Sequence, residues 1–238
     1  MPIRAADTDR LKGPHGQPGL LLLHGGFWRR AYGPELMDDI ASRMQALGFH
    51  VHNATYARWD EEHTGVWRKT LEDVRHAWHE LIDHDGVDRV RSMVLGHSAG
   101  GHLALWLATA TDARPWLTAA LAPVSDLVGA HHNRLSDGGN AVARWMGSEP
   151  ETDPEAWRLA DPMQQSIDAR ILLLHGAVDQ EVPISMSETY VRRCAAIGAP
   201  VQFERLEGDH YDVIDVGSSA WAAIETSVLD WYDPPRHG

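Results

Sequence analysis

The sequence predicts an α/β protein built on one mostly parallel sheet of about six strands, with helices on both faces. Short apolar runs alternate with longer segments whose apolar residues recur at helical spacing. Glycine, proline and aspartate separate these segments, as they do between strands and helices. A chain of 238 residues can bury one large core, so we expect a single domain over residues 1–238.

Six short runs are typical of strands, because each is apolar or alternating and is bounded by turn-forming residues. They are residues 20–24, 49–56, 90–95, 117–122, 171–174 and 201–206. The segments between successive runs are long enough for crossover connections, which parallel strands require. We therefore expect all six strands to pair in parallel.

Amphipathic segments between the strands predict helices. Pro34 suits a first helical turn and Gly48 ends the helix that follows. The apolar side chains between them recur at Leu36, Ile40, Met44 and Leu47. The next helix has its apolar face on Leu71, Val74, Trp78, Leu81 and Ile82. Further helices are expected from Ser98, over residues 186–197, and at the end of the chain, where the buried face is Trp221, Ile224, Val228 and Trp231.

A long segment rich in glycine, proline, aspartate and tryptophan separates the fourth and fifth strands. Loops of this length inside a compact domain are usually functional or contain helices. The stretches "NAVARWMG" and "DPEAWRLA" resemble short helices. We therefore expect a helical, lid-like insertion over about residues 127–165 that covers a pocket.

Composition excludes several classes of function. A formal net charge of −13 disfavours binding to nucleic acid or to an anionic membrane surface. Cys194 is the only cysteine, which excludes an internal disulfide, and its spacing places it in a helix core. With no apolar run long enough to span a bilayer and no signal-like N-terminus, we expect a cytoplasmic protein. The oligomeric state stays open.

Ser98 lies between Gly96 and Gly100 in "VLGHSAGGHLALWLA", directly after a predicted strand and directly before a predicted helix. Small residues on both sides of a serine allow such a sharp turn that its hydroxyl is exposed at the tip. The alternative is an ordinary glycine-rich turn. A nucleophilic serine also requires a base, an orienting acid and donors for the oxyanion.

Candidates for the acid and the base follow the last two strands. Asp179 in "LLLHGAVDQEVP" and His210 in "LEGDHYD" both lie at carboxyl ends of predicted strands, where parallel sheets form their sites. Asp126 in "APVSDLV" also follows a strand and is an alternative acid. Asp209 and Asp212 flank His210 too closely to orient its ring, so we expect them to shape the loop.

The stretch "LLLLHGGFW" supplies a candidate oxyanion hole after the first strand. Its glycine pair allows the backbone to turn toward the substrate. We expect the N–H groups of Gly26 and Phe27 to complement that of Ala99, the residue after the serine.

The motifs "HGGFW" and "GHSAGGH" resemble those of the α/β-hydrolase superfamily, and the resemblance extends from Leu20 to Trp231. Within it the chain is similar to the HGGxW group of small serine esterases, which includes the kynurenine formamidases. The resemblance implies an ester or arylformamide hydrolase with Ser98, Asp179 and His210 as its triad. Two departures from related patterns are visible. Phe27 replaces the third glycine of the lipase-like HGGG group, and the superfamily's usual first two strands are not evident before Leu20.

Substrate contacts are expected from four residues near these motifs: Phe27, Trp28, His97 and Trp145. For the tryptophans, core packing is the alternative. His24, His97 and His175 border the predicted site, and hydrogen-bonded structural roles are expected for them rather than a role as second base. Arg29 and Arg30 are either solvated or paired with a substrate carboxylate.

No cofactor or metal is expected. Fifteen histidines include pairs such as His50 with His52 and His76 with His79, but no third ligand has the spacing that zinc sites require. The main hypothesis is a hydrolase of small carboxylic esters. The alternatives are an arylformamidase, an acyl transfer or cyclisation enzyme, and a non-catalytic homologue that binds a ligand in the same pocket.

Overall fold

The computed structural model describes residue 11 and residues 16–136 and 138–232. These contain one sheet of six strands. The strands are β1 Gln17–Leu23, β2 His50–Ala54, β3 Val87–His97, β4 Leu117–Leu121, β5 Ile171–Gly176 and β6 Val201–Leu206. Their order across the sheet is β2-β1-β3-β4-β5-β6, and every neighbouring pair is parallel. The predicted parallel six-stranded sheet is confirmed.

Helices connect the strands and cover both faces of the sheet. They are α1 Asp38–Ala46, α2 Trp67–Asp83, α3 Ala99–Thr109, α4 Leu127–His132, α5 Ala141–Met146, α6 Pro154–Ala160, α7 Ile184–Ala196 and α8 Ser219–Tyr232. The helix predicted over residues 34–47 begins as a 3-10 turn, Pro34–Met37, and continues as α1. The strand predicted over residues 49–56 is shorter at both ends.

Side chains of β1 alternate between the two layers of the core. Leu21 and Leu23 pack in one cluster with side chains of α2 and α3. Leu20 and Leu22 pack in a second cluster with side chains of α1 and α8. Because successive side chains of a strand face opposite sides of the sheet, this alternation places α2 and α3 on one face and α1 and α8 on the other. Cys194 of α7 is buried, as its helical spacing predicts.

The insertion over residues 127–165 belongs to the core, which corrects the prediction of a lid. Its buried side chains join the cluster that contains α2 and α3. The Trp145 Nε1–H donates to Thr70 Oγ1 at 2.9 Å, and His102 Nε2 lies 2.9 Å from the carbonyl oxygen of Ala160. The Trp106 Nε1–H donates to the carbonyl of Leu159. Trp145, which suggested a roof over a pocket, therefore attaches the insertion to α2, and Trp106 of α3 forms a further link.

This packing predicts that the insertion contributes to the stability of the whole domain. Trp145 is fully buried, so Trp145→Ala is expected to lower the free energy of unfolding by about 3–5 kcal/mol, as large-to-small changes in cores do. Leu159 of the same insertion is 38% exposed, and Leu159→Ala is the matched control. Urea unfolding followed by circular dichroism measures both losses. A loss for Trp145→Ala no larger than that for Leu159→Ala would show an independent lid.

Candidate active site

Ser98 forms the whole connection between β3 and α3, in a left-handed backbone conformation with φ 56° and ψ −115°. Glycines make this turn possible. A Cβ at Gly96 would lie 2.1 Å from the carbonyl oxygen of Gly100, and a Cβ at Gly100 would lie 2.0 Å from that of Leu23. Side chains at either position would collide with backbone, so the expected sharp turn depends on both glycines.

Hydrogen bonds hold the strained backbone of Ser98 in place. Its N–H donates to the carbonyl of Leu121 at 2.9 Å. Its carbonyl accepts from the N–H of His102 at 3.0 Å and from that of Val124 at 3.2 Å. A non-glycine residue in this region persists only where its surroundings fix it, and such residues cluster at functional sites.

The loops after β5 and β6 bring Asp179 and His210 together. Gly176 at the end of β5 allows close approach, because a Cβ there would lie 2.5 Å from the carbonyl oxygen of Asp209. The His210 Nδ1–H donates to Asp179 Oδ2 at 2.6 Å. Asp179 Oδ1 accepts the N–H groups of Glu181 and Val182, both at 2.8 Å. With Nδ1 engaged as the donor, the lone pair of the neutral His210 ring is on Nε2, the atom that a general base uses.

A second imidazole, His175, binds the same carboxylate oxygen. Its Nε2 lies 3.1 Å from Asp179 Oδ2 and 2.9 Å from the carbonyl oxygen of Val182. Because both partners are acceptors, Nε2 carries the proton and Nδ1 accepts from the Ser187 hydroxyl at 2.7 Å. The sequence predicted a structural role for His175 but not this shared oxygen, because the contact joins a strand end to the loop that follows it.

Asp179 is ionised in this environment. Its burial would raise the pKa, but the hydrogen bonds from His175 and His210 and the charge of His210 hold the pKa of Asp179 well below its usual range. The carboxylate can therefore orient the His210 ring and stabilise an imidazolium without taking its proton.

Asp126, the alternative acid, caps α4 instead. Its Oδ1 accepts the Gly129 N–H at 2.7 Å, so it serves the helix start and not His210. Asp209 and Asp212 shape the loop as expected. Asp209 Oδ1 accepts the N–H groups of Tyr211 and Asp212, and Asp212 Oδ2 accepts the N–H of Asp209.

His97 connects the nucleophile turn to the His210 loop. Its Nε2–H donates to the carbonyl of His210 at 2.9 Å, and the two rings lie 4.5 Å apart between centroids. Burial, followed by the neighbouring charge of His210, lowers the pKa of His97 to about 3. His97 is therefore neutral over the working range of an enzyme, and it fixes the backbone that carries His210.

A cavity of about 150 Å³ lies above Ser98 and is bordered by both loops. Its walls are Gly25, Gly26, Phe27, Arg29, Tyr32, Leu36, His97, Ser98, Glu181, His210, Tyr211 and Ile214. Of the predicted substrate contacts, Phe27 and His97 therefore lie in the wall. No described residue of the insertion lines this cavity. The described residues show no hydrogen bond between Ser98 and His210, a contact that often forms only when substrate binds.

Trp28 and Trp145 pack in the core, which corrects their predicted contact with substrate. Both side chains are fully buried, and their rings stack at 4.5 Å between centroids. The His102 ring meets each of them edge-on. Phe27 and Trp28 are neighbours in one turn, yet of the two only Phe27 lines the cavity.

The candidate oxyanion loop passes directly beside Ser98. A Cβ at Gly25 would lie 3.1 Å from Ser98 Cβ and 2.9 Å from His97 Nδ1. Gly26, Phe27 and Trp28 follow, all with positive φ. On the other side of Ser98, Ala99 is the first residue of α3, where N–H groups have no acceptor within the helix and the helix dipole favours negative charge. The loop after β1 and the N-terminus of α3 therefore flank Ser98 on two sides.

Among the residues that the structure describes, no group of three or more His, Cys, Asp or Glu side chains is arranged to hold a metal ion. Within the same residues, every helix is too short or too polar to cross a bilayer.

Three buried imidazoles predict a loss of stability in mild acid. Burial lowers the pKa of His24 and His102 to about 4 and that of His97 to about 3. Between about pH 4 and 6.5 the unfolded chain binds more protons than the folded protein. Each imidazole therefore lowers the free energy of unfolding by up to about 1.4 kcal/mol for each pH unit that the pH falls. Burial and the charge of Asp126 raise the pKa of Asp161 to about 6. Below that pH the folded protein binds a proton at Asp161, and the stability gained there offsets the loss caused by one of the three imidazoles.

Urea unfolding at about pH 5 and about pH 7 tests this balance. The domain is expected to be less stable at the lower pH, and His102→Gln is expected to reduce the difference between the two values. Equal or greater stability of the unaltered protein near pH 5 would contradict the assignment of these three imidazoles as neutral.

Comparison with known proteins places the chain among its relatives. The model of the prolyl oligopeptidase family matches residues 54–232. An S-formylglutathione hydrolase of Paracoccus denitrificans is 29% identical over 179 residues, which are 73% of this chain and 59% of that protein. The uncharacterized peptidase YtmA of Bacillus subtilis is 28% identical over 133 residues, 55% of this chain and 51% of that protein. The chain thus spans between half and two thirds of the length of these curated relatives.

Solved structures share the fold at low sequence identity. Esterase B from Lactobacillus rhamnosis has a TM-score of 0.77 at 18% identity, over 92% of this chain and 76% of that one. A truncated carbohydrate esterase from gut microbiota has a TM-score of 0.75 at 16% identity, over 93% of this chain and 88% of that one. Esterase Est2 from Thermogutta terrifontis has a TM-score of 0.72 at 17% identity, over 95% of this chain and 86% of that one. The expected α/β-hydrolase fold is confirmed, and the chain belongs to the prolyl oligopeptidase family.

Proposed function

We propose that this protein is a serine hydrolase that cleaves small carboxylic esters through an acyl-enzyme on Ser98. The observation that carries the proposal is the hydrogen bond of 2.6 Å between His210 Nδ1 and Asp179 Oδ2, beside a cavity that Ser98 and His210 both line. A serine in a strained turn, a base with a free lone pair and an ionised orienting acid are the parts that nucleophilic catalysis requires.

The reaction begins when Ser98 Oγ attacks the ester carbonyl and its proton passes to His210 Nε2. The carbonyl oxygen becomes an oxyanion that accepts hydrogen bonds from the backbone N–H groups of Gly26 or Phe27 and of Ala99. Collapse of this intermediate breaks the bond to the leaving alkoxide, which takes the proton from His210 Nε2. Asp179 stays ionised throughout and stabilises the imidazolium.

Water completes the cycle. His210 Nε2 takes a proton from the water as its oxygen attacks the acyl carbon. The second tetrahedral intermediate then breaks its bond to Ser98 Oγ, which takes the proton back from His210 Nε2, and the carboxylic acid is released. If water is excluded and an alcohol or amine enters instead, the same groups perform acyl transfer. Product analysis with a competing alcohol distinguishes the two outcomes.

The relatives support an ester or thioester substrate. One curated relative is an S-formylglutathione hydrolase, and the structural neighbours named above are esterases. The family's description and the relative YtmA name peptidases. A cavity of about 150 Å³ favours a small acyl group over a peptide segment. The second candidate is an arylformamidase, favoured by "HGGFW" and by the fit of a one-carbon acyl group to this cavity. The narrower HGGxW subgroup stays a prediction.

Ser98→Ala is expected to remove the hydrolysis of p-nitrophenyl acetate and labelling by a fluorophosphonate, because the nucleophile is absent. The loss is expected to reach about 10⁴-fold or more, as for other triad members. Ser125→Ala is the matched control, since Ser125 is also buried beyond a strand end and its hydroxyl donates to the carbonyl of Met186. Retained turnover in Ser98→Ala with intact circular dichroism would refute the proposed function.

A panel of p-nitrophenyl esters is expected to show the highest kcat/KM for acyl chains of about two to four carbons, because a longer acyl group extends beyond a cavity of about 150 Å³ and gains no further contacts within it. Formanilide and a peptide p-nitroanilide extend the panel to amides. A higher kcat/KM for octanoyl than for acetyl esters would exclude the small-acyl assignment, and a preference for formanilide would favour the arylformamidase.

A further inference from the structure

The turn that carries the candidate oxyanion donors is strained at two consecutive bulky residues. Phe27 has φ 49° and Trp28 has φ 55°. The Arg29 N–H donates to the carbonyl of Gly26 at 3.0 Å and closes the turn around them. For residues other than glycine, this backbone conformation costs about 1–3 kcal/mol each and persists only when other contacts impose it. A turn of this kind is normally filled by glycine, asparagine or aspartate.

Trp59, from the segment after β2, forms three hydrogen bonds with this turn. Its Nε1–H donates to the carbonyl of Phe27 at 2.9 Å, and its N–H donates to the carbonyl of Trp28 at 2.9 Å. Its carbonyl accepts the Arg30 N–H at 2.8 Å. Trp59 is 5% exposed, so water does not compete effectively for these groups.

The three bonds fix successive peptide planes of the strained turn. Because a peptide group is planar, the Trp59 N–H that binds the Trp28 carbonyl also fixes the N–H of Arg29, which lies in the same plane. The Arg29 N–H in turn holds the carbonyl of Gly26, and the N–H of Phe27 shares that carbonyl's plane. The indole bond to the Phe27 carbonyl holds the peptide plane between these two, so Trp59 restricts where the N–H of Phe27 points. A second anchor, the hydrogen bond of 2.7 Å from the Tyr56 hydroxyl to the carbonyl of His24, holds the start of the loop from the same segment.

We infer that Trp59 is a positioning residue for the oxyanion hole, acting through the backbone of Phe27 and Trp28 and not through contact with substrate. Trp59 is absent from the wall of the cavity, as far as the described residues define it. This role rests on the proposed function, because an aimed N–H matters only where negative charge develops. It assigns a function to a tryptophan outside the motifs "HGGFW" and "GHSAGGH".

The test compares Trp59→Phe with Trp78→Phe. In both variants an indole N–H that donates to a buried carbonyl is lost, since the Trp78 Nε1–H donates to Ala113 at 2.8 Å within the core. Steady-state kinetics with p-nitrophenyl acetate and thermal unfolding are measured for each. Trp59→Phe is expected to lower kcat at least about 10-fold and to change KM by no more than about threefold. The loss of kcat is expected to be smaller than the ~10²–10³-fold loss that follows deletion of an oxyanion donor itself. Trp78→Phe is expected to lower the melting temperature comparably and to keep kcat within about twofold.

Replacement of residue 59 by benzothienylalanine changes only the N–H to sulfur and provides a second variant if Trp59→Phe does not fold. In both variants of residue 59 the pH profile of kcat is expected to keep its midpoint, because Asp179 and His210 are unchanged. Unchanged kcat in the residue 59 variants, or an equal loss in Trp78→Phe, would overturn the positioning role. Full turnover by Trp59→Phe beside an inactive Ser98→Ala overturns this role alone, whereas turnover that survives Ser98→Ala overturns the proposed function.

Discussion

The close approach of α3 to the end of β1 is the constraint on which the candidate site depends. A side chain at Gly100 would place its Cβ 2.0 Å from the carbonyl oxygen of Leu23, so the first turn of α3 lies directly against the strand end. The loop that leaves β1 then passes beside Ser98, because a Cβ added at Gly25 would lie 3.1 Å from Ser98 Cβ. Two strained segments, Ser98 and Phe27 with Trp28, are thereby held side by side. Backbone packing, more than side-chain contact, sets the distance between the candidate nucleophile and the loop that carries the candidate oxyanion donors.

Buried histidines around Asp179 hold the other half of the site. Asp179 Oδ2 accepts hydrogen bonds from both His210 and His175, and His97 holds the carbonyl of His210. Each imidazole directs a proton at a carbonyl or carboxylate acceptor, which fixes the orientation of its ring. The neutral state of His97 has an energetic cost, because burial lowers its pKa to about 3 and the unfolded chain binds a proton there in mild acid. We interpret that cost as the consequence of holding the backbone of His210 through His97.

Periodicity and chain order made the sheet and the placement of Ser98, Asp179 and His210 predictable. Each of these residues follows a strand, and parallel strands bring their carboxyl ends to one edge. The position of the insertion was not predictable, because tryptophans at helical spacing serve a roof or a core equally well. Trp28 and Trp145 were assigned to substrate for the same reason. The contacts of His175 and Trp59 depend on loop backbone geometry, which a single sequence does not encode in its residue pattern.

The central claim is that Ser98 becomes acylated during turnover. Acid quenching of the protein during hydrolysis of p-nitrophenyl acetate, followed by proteolysis and mass spectrometry, tests this claim directly. The account predicts an added acetyl group on the peptide that contains Ser98, which disappears as substrate is exhausted. Rapid hydrolysis with an acetyl group on another residue, or an adduct on Ser98 that forms and decays more slowly than turnover, would contradict it.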